Sequence, residues 1–342
     1  MNLLTKTLKN IKSVPSSNCE NISSVILEQK KFGRLAQMAR KYIAIKGNKF
    51  CTTIKHCMVI TSADHGVAKQ GISAYPIETT MHMTANYLIA KGGSANAFAN
   101  YCQADMVVAD VGIAGDMKNV PGLWQRKIAY GTQDFTEGPA MGKLEAIKAI
   151  EVGIEIVNSK VKDGYNCFSL GEMGIGNTTS SAAIVGAFTG MSPEEITGRG
   201  TGISDSRMQV KLDVVRKGLE INRPDIKDGI DVLAKVGGFE IGALVGVILA
   251  AAANSCPVII DGLNTTASAL IAQAMHKNAK DYMFASHLSG EPAHIIALNT
   301  LGLQPCLDMK VRLGEAIGAS IVMEMLTGIT EVLENSKEEY LK

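Results

Sequence analysis

The chain has 342 residues, enough for one large domain or for a large and a small lobe around a sizeable core. Apolar residues make up 46% and charged residues 20%, a balance that folds as a globule and argues against disorder. A formal net charge of +1 provides no field to gather nucleic acid or an acidic bilayer, so neither is expected as a partner.

Met1 to Val14 mixes Lys with Leu and Ile and lacks the unbroken apolar run of a secretion signal. The seven cysteines (Cys19, Cys51, Cys57, Cys102, Cys167, Cys256, Cys306) are odd in number, scattered and free of any CxxC pair. They suit reduced thiols better than a disulfide framework, and a cytoplasmic protein is expected. Residues 1 to about 50 read as helical, with little strand character.

Five short apolar runs come next in chain order. Cys57–Ile60 leads into Ser62-Ala63-Asp64-His65-Gly66, Met106–Ala109 into Asp110-Val111-Gly112, and Cys167–Leu170 into Gly171-Glu172-Met173-Gly174. Pro257–Ile260 leads into Asp261-Gly262, and Tyr282–Ala285 into Ser286 to Glu291. Continuous apolar runs of this length suit strands covered on both faces, hence a parallel sheet. Between them, Met141–Val157, Thr178–Phe188 and Phe239–Ala253 have the length of covering helices. Phe239–Ala253 carries Glu240 and is too short to span a bilayer, so it is expected to be a buried helix. Strand and helix in repeated alternation predict an α/β fold whose ligand sits beyond the carboxyl ends of the strands. The tail from about residue 312 again reads as helical. The expected domains are 51–311 as a large α/β unit, with 1–50 and 312–342 joining as a small helical one.

The polar clusters at the strand ends carry the chemistry. In Gly171-Glu172-Met173-Gly174-Ile175-Gly176-Asn177-Thr178-Thr179-Ser180-Ser181 the glycines let backbone N–H groups approach an anion. The Thr/Ser cluster can cap the next helix, whose N-terminus attracts phosphate. The segment is neither a P-loop nor GxGxxG, and a plain glycine turn that starts a helix is the alternative. Gly198-Arg199-Gly200-Thr201-Gly202 repeats the small-residue logic. Lys211 comes after it on an expected helix, either as a point charge for phosphate or as a surface lysine. In Leu313-Gly314-Glu315-Ala316 a lone carboxylate stands among small and apolar residues. That setting suits proton abstraction near neutral pH, and a solvent-exposed helix-end Glu is the other reading. Asp64 and His65 are sequence neighbours, which rarely point at one another, so a structural or orienting role is expected rather than a dyad. The six histidines show no metal-ligand spacing, so neither metal nor cofactor is expected.

Taken in order, these segments resemble the nicotinate-nucleotide–dimethylbenzimidazole phosphoribosyltransferases over residues 58 to 320. The matching stretches include Asp64-His65-Gly66-Val67, Gly71 to Pro76, Asp110-Val111-Gly112, Gly131-Thr132 and Gly138 to Met141. They continue through Gly171 to Thr179, Gly198 to Gly202, Asp261-Gly262, His287 to Pro292 and Arg312 to Glu315. The resemblance implies a Rossmann-like parallel sheet with helices on both faces and a small helical domain from both chain ends. It also implies a homodimer whose partner helps wall the site. Nicotinate mononucleotide would be the donor and an aromatic base the acceptor.

By the same resemblance, Glu315 is the general base and Glu172 shares its pocket. Gly174, Gly176, Asn177, Thr178, Gly202, Lys211 and Ser289 hold the phosphoribose, and Ser73, His82 and Leu313 lie near the acceptor. The chain departs from the family pattern in three places: His82 for Gln, Ala316-Ile317 for Gly-Thr, and Asn96-Ala97 for Ile-Asn. These touch the acceptor side and leave an alternative: one subunit of a pair, a heterodimer with a paralogue, that activates phenol or p-cresol. A scaffold subunit is disfavoured by the presence of both Glu172 and Glu315. A nicotinamide-dependent oxidoreductase is disfavoured by the missing GxGxxG.

Overall fold

The computed structural model describes residues 2–15, 29–47 and 53–339. Cys19 and Cys51, and parts of the expected N-terminal helical segment, lie outside those residues. Strands β1 (His56–Ala63), β2 (Asp105–Gly112), β3 (Trp124–Gln125), β4 (Cys167–Met173), β5 (Val258–Ile260) and β6 (Met283–Ala285) form one sheet in the order β3-β2-β1-β4-β5-β6. Every neighbouring pair is parallel. All eight residues of β1 are buried, which explains its unbroken apolar run, and each fully buried Val or Ile contributes roughly 1.5–3 kcal/mol.

Five of the six strands coincide with the five apolar runs. The sixth, β3, has two residues and pairs only at Ala109↔Trp124 and Asp110↔Gln125, too short to leave a pattern. A second, two-stranded sheet joins β7 (His287–Leu288) to β8 (Leu307–Asp308) in parallel and fixes the loop after β7.

Helices flank the main sheet. They are α1 (Leu3–Asn10), α2 (Gln29–Lys46), α3 (Glu78–Leu88), α4 (Ser94–Tyr101), α5 (Lys143–Lys162), α6 (Asn177–Thr189) and α7 (Pro193–Ile196). The second half of the chain adds α8 (Asp205–Asn222), α9 (Gly229–Val236), α10 (Phe239–Ala253), α11 (Leu263–Met275), α12 (Pro292–Leu301) and α13 (Ile317–Glu339). Residues 239–252 of α10 are all buried, so this stretch is the buried helix its sequence predicts. It packs against β1, β2, β4 and β5 and lies tightly along α5. The two helices touch through glycines: a Cβ on Gly246 would fall 1.9 Å from the Ile150 carbonyl oxygen. α1 packs on α5 and α10, whereas α2, broken at Gly33, packs on α13. Among the described residues no helix is long and apolar enough to cross a membrane.

The strand order reverses between β1 and β4. In sheets of this kind the crevice beyond the carboxyl ends at that reversal is where ligands bind. The segments that leave it here are Asp64-His65 from β1 and Glu172-Met173-Gly174 from β4.

Candidate active site

Beyond β4 the chain turns through Gly174-Ile175-Gly176 into α6. Gly176 has φ 103°, a conformation L residues rarely adopt, and a Cβ there would lie 2.9 Å from His65 Cβ. The expected Thr/Ser cap does not form: Gly176 is the cap residue and makes no side-chain cap bond. Ser180 Oγ donates instead to the Val236 carbonyl oxygen at 2.5 Å. The Asn177 amide donates to the Gly174 carbonyl at 3.3 Å and the Thr179 and Ser180 amides to the Gly176 carbonyl, while the dipole at a helix N-terminus favours an anion.

Lys211 comes to this turn from α8. It is 1% exposed, and its Nζ donates to Thr178 Oγ1 at 2.9 Å, so the surface-lysine alternative falls. Burial pulls its pKa down to about 8, against an opposing pull from Glu291. The Gly200 backbone closes the nest: a Cβ there would lie 2.7 Å from Thr178 Oγ1 and 3.1 Å from Lys211 Nζ. Gly202, at φ 82°, turns the same loop, and the Gly202 amide donates to the Arg199 carbonyl at 3.0 Å. The Gly200 amide donates to Glu291 Oε1 at 3.2 Å. Ser289, two residues earlier, is buried and accepts from the Glu291 amide at 3.4 Å. A cleft of about 580 Å³ opens beside this loop, lined by Ser289, Glu291, Lys310 and Arg312 among others.

The two carboxylates singled out by the sequence meet next to this nest. Glu172 is buried; Asn264 Nδ2 donates to its Oε1 at 2.9 Å and Asn177 Nδ2 to its Oε2. Burial pushes its pKa up to about 8, opposed by the Asn264 hydrogen bond and reinforced by Glu240, Asp261 and Glu315. Glu315 is 5% exposed rather than free in water, and its Oε2 accepts from the Ala95 amide at the start of α4, at 3.1 Å. The segment that delivers it runs close by: a Cβ on Gly314 would sit 2.5 Å from Glu172 Oε1. Gly314, Glu315 and Ala316 have φ 79°, 60° and 60°, three successive residues in the left-handed region. Asp261, from the end of β5, anchors the first turn of α13 by accepting from the Ala319 amide at 2.9 Å. Its own pKa is pushed up to about 7 by burial.

Asp64 and His65 point apart. Asp64 Oδ2 accepts from the Ala114 amide at 2.8 Å, while His65 Nε2 meets Glu240 Oε1 of α10 at 2.6 Å, both side chains fully buried. The His65 amide also donates to the Ile175 carbonyl at 3.4 Å, which ties this pair to the glycine turn.

The remaining residues lie in more open ground. Ser73 is half-buried, its Oγ 3.4 Å from Thr201 Oγ1, and the Ala74 amide donates to the same oxygen at 2.9 Å. Leu313 is 55% exposed, immediately before the Glu315 turn. His82 is exposed on α3, whose buried side is Thr80, Thr84 and Tyr87. Met83 turns inward with Tyr87: a Cβ on Gly93 would lie 3.2 Å from Tyr87 Cε1 and 3.6 Å from Met83 Cε.

Several members of the site escape sequence reasoning. Glu240 is legible only as a charge inside an apolar helix, which is itself the signal. Asn264 carries none, since an Asn near a helix start reads as a cap. Thr80 Oγ1 accepts from the Ile175 amide at 3.0 Å and joins α3 to the glycine turn, a contact across 95 residues. No cluster of His, Cys, Asp and Glu suited to a metal ion occurs among the described residues.

Comparison with known proteins covers nearly the whole chain. A family profile described as phosphoribosyltransferase matches residues 14–339. The nicotinate-nucleotide–dimethylbenzimidazole phosphoribosyltransferase of Geobacter metallireducens is 42% identical over 98% of this chain and 96% of its own. That of Desulforamulus reducens is 42% identical over 97% and 96%. A crystal structure of the Thermus thermophilus enzyme of this name superposes with a TM-score of 0.84 at 34% identity, covering 93% of both chains.

Proposed function

The chain belongs to the nicotinate-nucleotide–dimethylbenzimidazole phosphoribosyltransferase family, and from that premise we propose how its site works. The reaction moves phosphoribose from nicotinate mononucleotide to 5,6-dimethylbenzimidazole, giving α-ribazole 5′-phosphate and nicotinate for cobamide synthesis. The observation that carries the assignment to this site is the buried carboxylate pair, Glu172 and Glu315, set against the Lys211–Thr178–Gly200 nest.

The donor's nicotinate nitrogen is a pyridinium, so the C1′–N bond can break without protonation of the leaving group. The protein must hold the 5′-phosphate, expose one face of C1′ and bring the acceptor to attack distance. The phosphate seats at the start of α6, on Gly174, Gly176, Asn177, Thr178 and Gly202, with Lys211 as its charge partner and Ser289 at the edge. An acceptor nitrogen forms the new bond to C1′ as the old one breaks, and Glu315 takes the proton from the acceptor's other nitrogen. Attack on the face opposite nicotinate inverts the β-nucleotide to the α-product. Glu172 shares the pocket as the second carboxylate, and Ser73, His82 and Leu313 border the acceptor.

A homodimer in the cytoplasm completes the reading. The exposure of Leu313 and His82 in the single chain supports it, since a partner can wall that side. The division into a large unit at 51–311 and a small helical unit from both ends is part of the same proposal, supported by the packing of α2 on α13. The relatives compared carry the benzimidazole name, and none of them supports the phenolic paired-subunit alternative.

The test is to incubate the purified chain with nicotinate mononucleotide and a mixture of 5,6-dimethylbenzimidazole, adenine, phenol and p-cresol, then identify products by mass spectrometry. The expected product is α-ribazole 5′-phosphate. Absence of any riboside phosphate would sink the reading, and phenolic ribosides alone would replace it with the alternative.

A further inference from the structure

One buried polar group beside the carboxylates has no task in this scheme. Tyr87, near the end of α3, is 1% exposed, and its hydroxyl is buried without a hydrogen-bond partner. Leaving such a group unpaired costs roughly 1–3 kcal/mol, so its position asks for a reason. The acids that act on it are Glu315 first and Glu172 after it.

The junction between α3 and α4 fixes both side chains at once. Asn96 Nδ2 donates to the Tyr87 carbonyl at 2.9 Å, and the neighbouring Ala95 amide donates to Glu315 Oε2 at 3.1 Å. Gly93 leaves room for the ring, its Cβ site 3.2 Å from Tyr87 Cε1. Around Glu315, α3 contributes the phenol, α4 an uncharged amide, and β4 the carboxyl of Glu172, which has Asp261 and Glu240 in turn as charged neighbours.

We propose that Tyr87 is a positioning residue for Glu315, its unpartnered hydroxyl turning to donate to the carboxylate during the reaction and holding it aimed at the acceptor's proton. The inference rests on Glu315 being the general base. Burial, with Glu315 and Glu172 adding to it, holds the phenol proton in place, so Tyr87 acts as a donor rather than as a competing acid. A hydrogen bond donated to a carboxylate favours its charged form, and its loss moves the acidic limb of the activity profile to higher pH.

The experiment measures kcat and KM from pH 5.5 to 9 for the wild-type chain, Tyr87→Phe, Glu315→Gln and the double variant. Phe keeps the packed ring, and melting curves check that the fold is unchanged. The acidic limb should move up by about half to one pH unit in Tyr87→Phe, a loss of roughly three- to tenfold at the low-pH end that recovers at high pH. Donor KM should stay level, and the same change made in Glu315→Gln should have no further effect. An even loss across pH, or an equal loss in the Glu315→Gln background, would reduce Tyr87 to a packing residue. Wild-type turnover in Glu315→Gln would instead remove the base assignment itself, so the two failures are told apart.

Discussion

The donor side and the acceptor side of this crevice are built differently. On the donor side the glycine turn and Lys211 are buried, half-buried Thr178 is bonded to Lys211, the Gly200 amide is bonded to Glu291, and an added methyl group at Gly200 would crowd both Thr178 and Lys211. On the acceptor side His82 and Leu313 are exposed, and half-buried Ser73 is tied to the Thr201 loop and, through its carbonyl, to Arg207 of α8. On the roles proposed above, the difference teaches where the chain would commit itself: phosphoribose would meet the more enclosed side, and the incoming ring a border that can vary. The three departures from the family pattern, at His82, Ala316-Ile317 and Asn96-Ala97, fall on the acceptor side or in the segments that hold Glu315.

The most severe test removes the group on which the two sides converge. Glu315→Gln should lower kcat by about three powers of ten while leaving donor binding intact, read from kcat and from calorimetric titration with nicotinate mononucleotide. Turnover near wild type would place the base elsewhere.

Lys211→Ala attacks the more enclosed side. Donor KM should rise roughly 10- to 100-fold with kcat nearly unchanged, as expected for a charged hydrogen bond to the ground-state phosphate. Because burial holds Lys211 down to about 8, its charge fades as pH climbs through that value. Wild-type donor KM should therefore rise between pH 7 and 9, and the variant should show no such climb. A pure kcat loss would contradict the binding role.

Glu172→Gln tests the buried carboxyl through stability. The folded chain keeps this proton up to about pH 8, whereas the unfolded chain releases it near the ordinary value of 4.5. The folded state binds more protons across that window, so stability falls as pH rises through it. Asp261, raised to about 7, acts in the same direction, so the variant should lose part of the slope. Melting temperatures at intervals from pH 4 to 9 would show it, and an unchanged slope would mean that Glu172 ionises normally.

The smallest effect is expected at the exposed border. His82→Ala should change acceptor KM by no more than about threefold, as for other surface substitutions. Met83→Ala, on the face that turns inward with Tyr87, should change it more. The reverse order would show that His82 reaches the ring.

Legibility in the sequence is a matter of range. The strands show because their apolar runs are local, and the two-residue β3, β7 and β8 do not because so few residues leave no period. The nest proposed for phosphate is half visible: its glycines stand together, yet the arrival of Lys211 across 33 residues is a tertiary fact. The His65–Glu240 pair is separated by 175 residues and has no local trace. Glu315 looks like a solvated helix end in the sequence, because neither the capping of α13 by Asp261 nor the amide of Ala95 can be read from its neighbours.

The reversed winding at Gly314, Glu315 and Ala316 bears on how such an enzyme can be improved. A non-glycine residue in that conformation carries roughly 1 kcal/mol of steric cost. Ala316→Gly would relieve that cost, yet it would also free the unfolded chain by about 0.4–1 kcal/mol and remove a buried methyl group, so the exchange should bring little heat resistance while loosening the turn that carries Glu315.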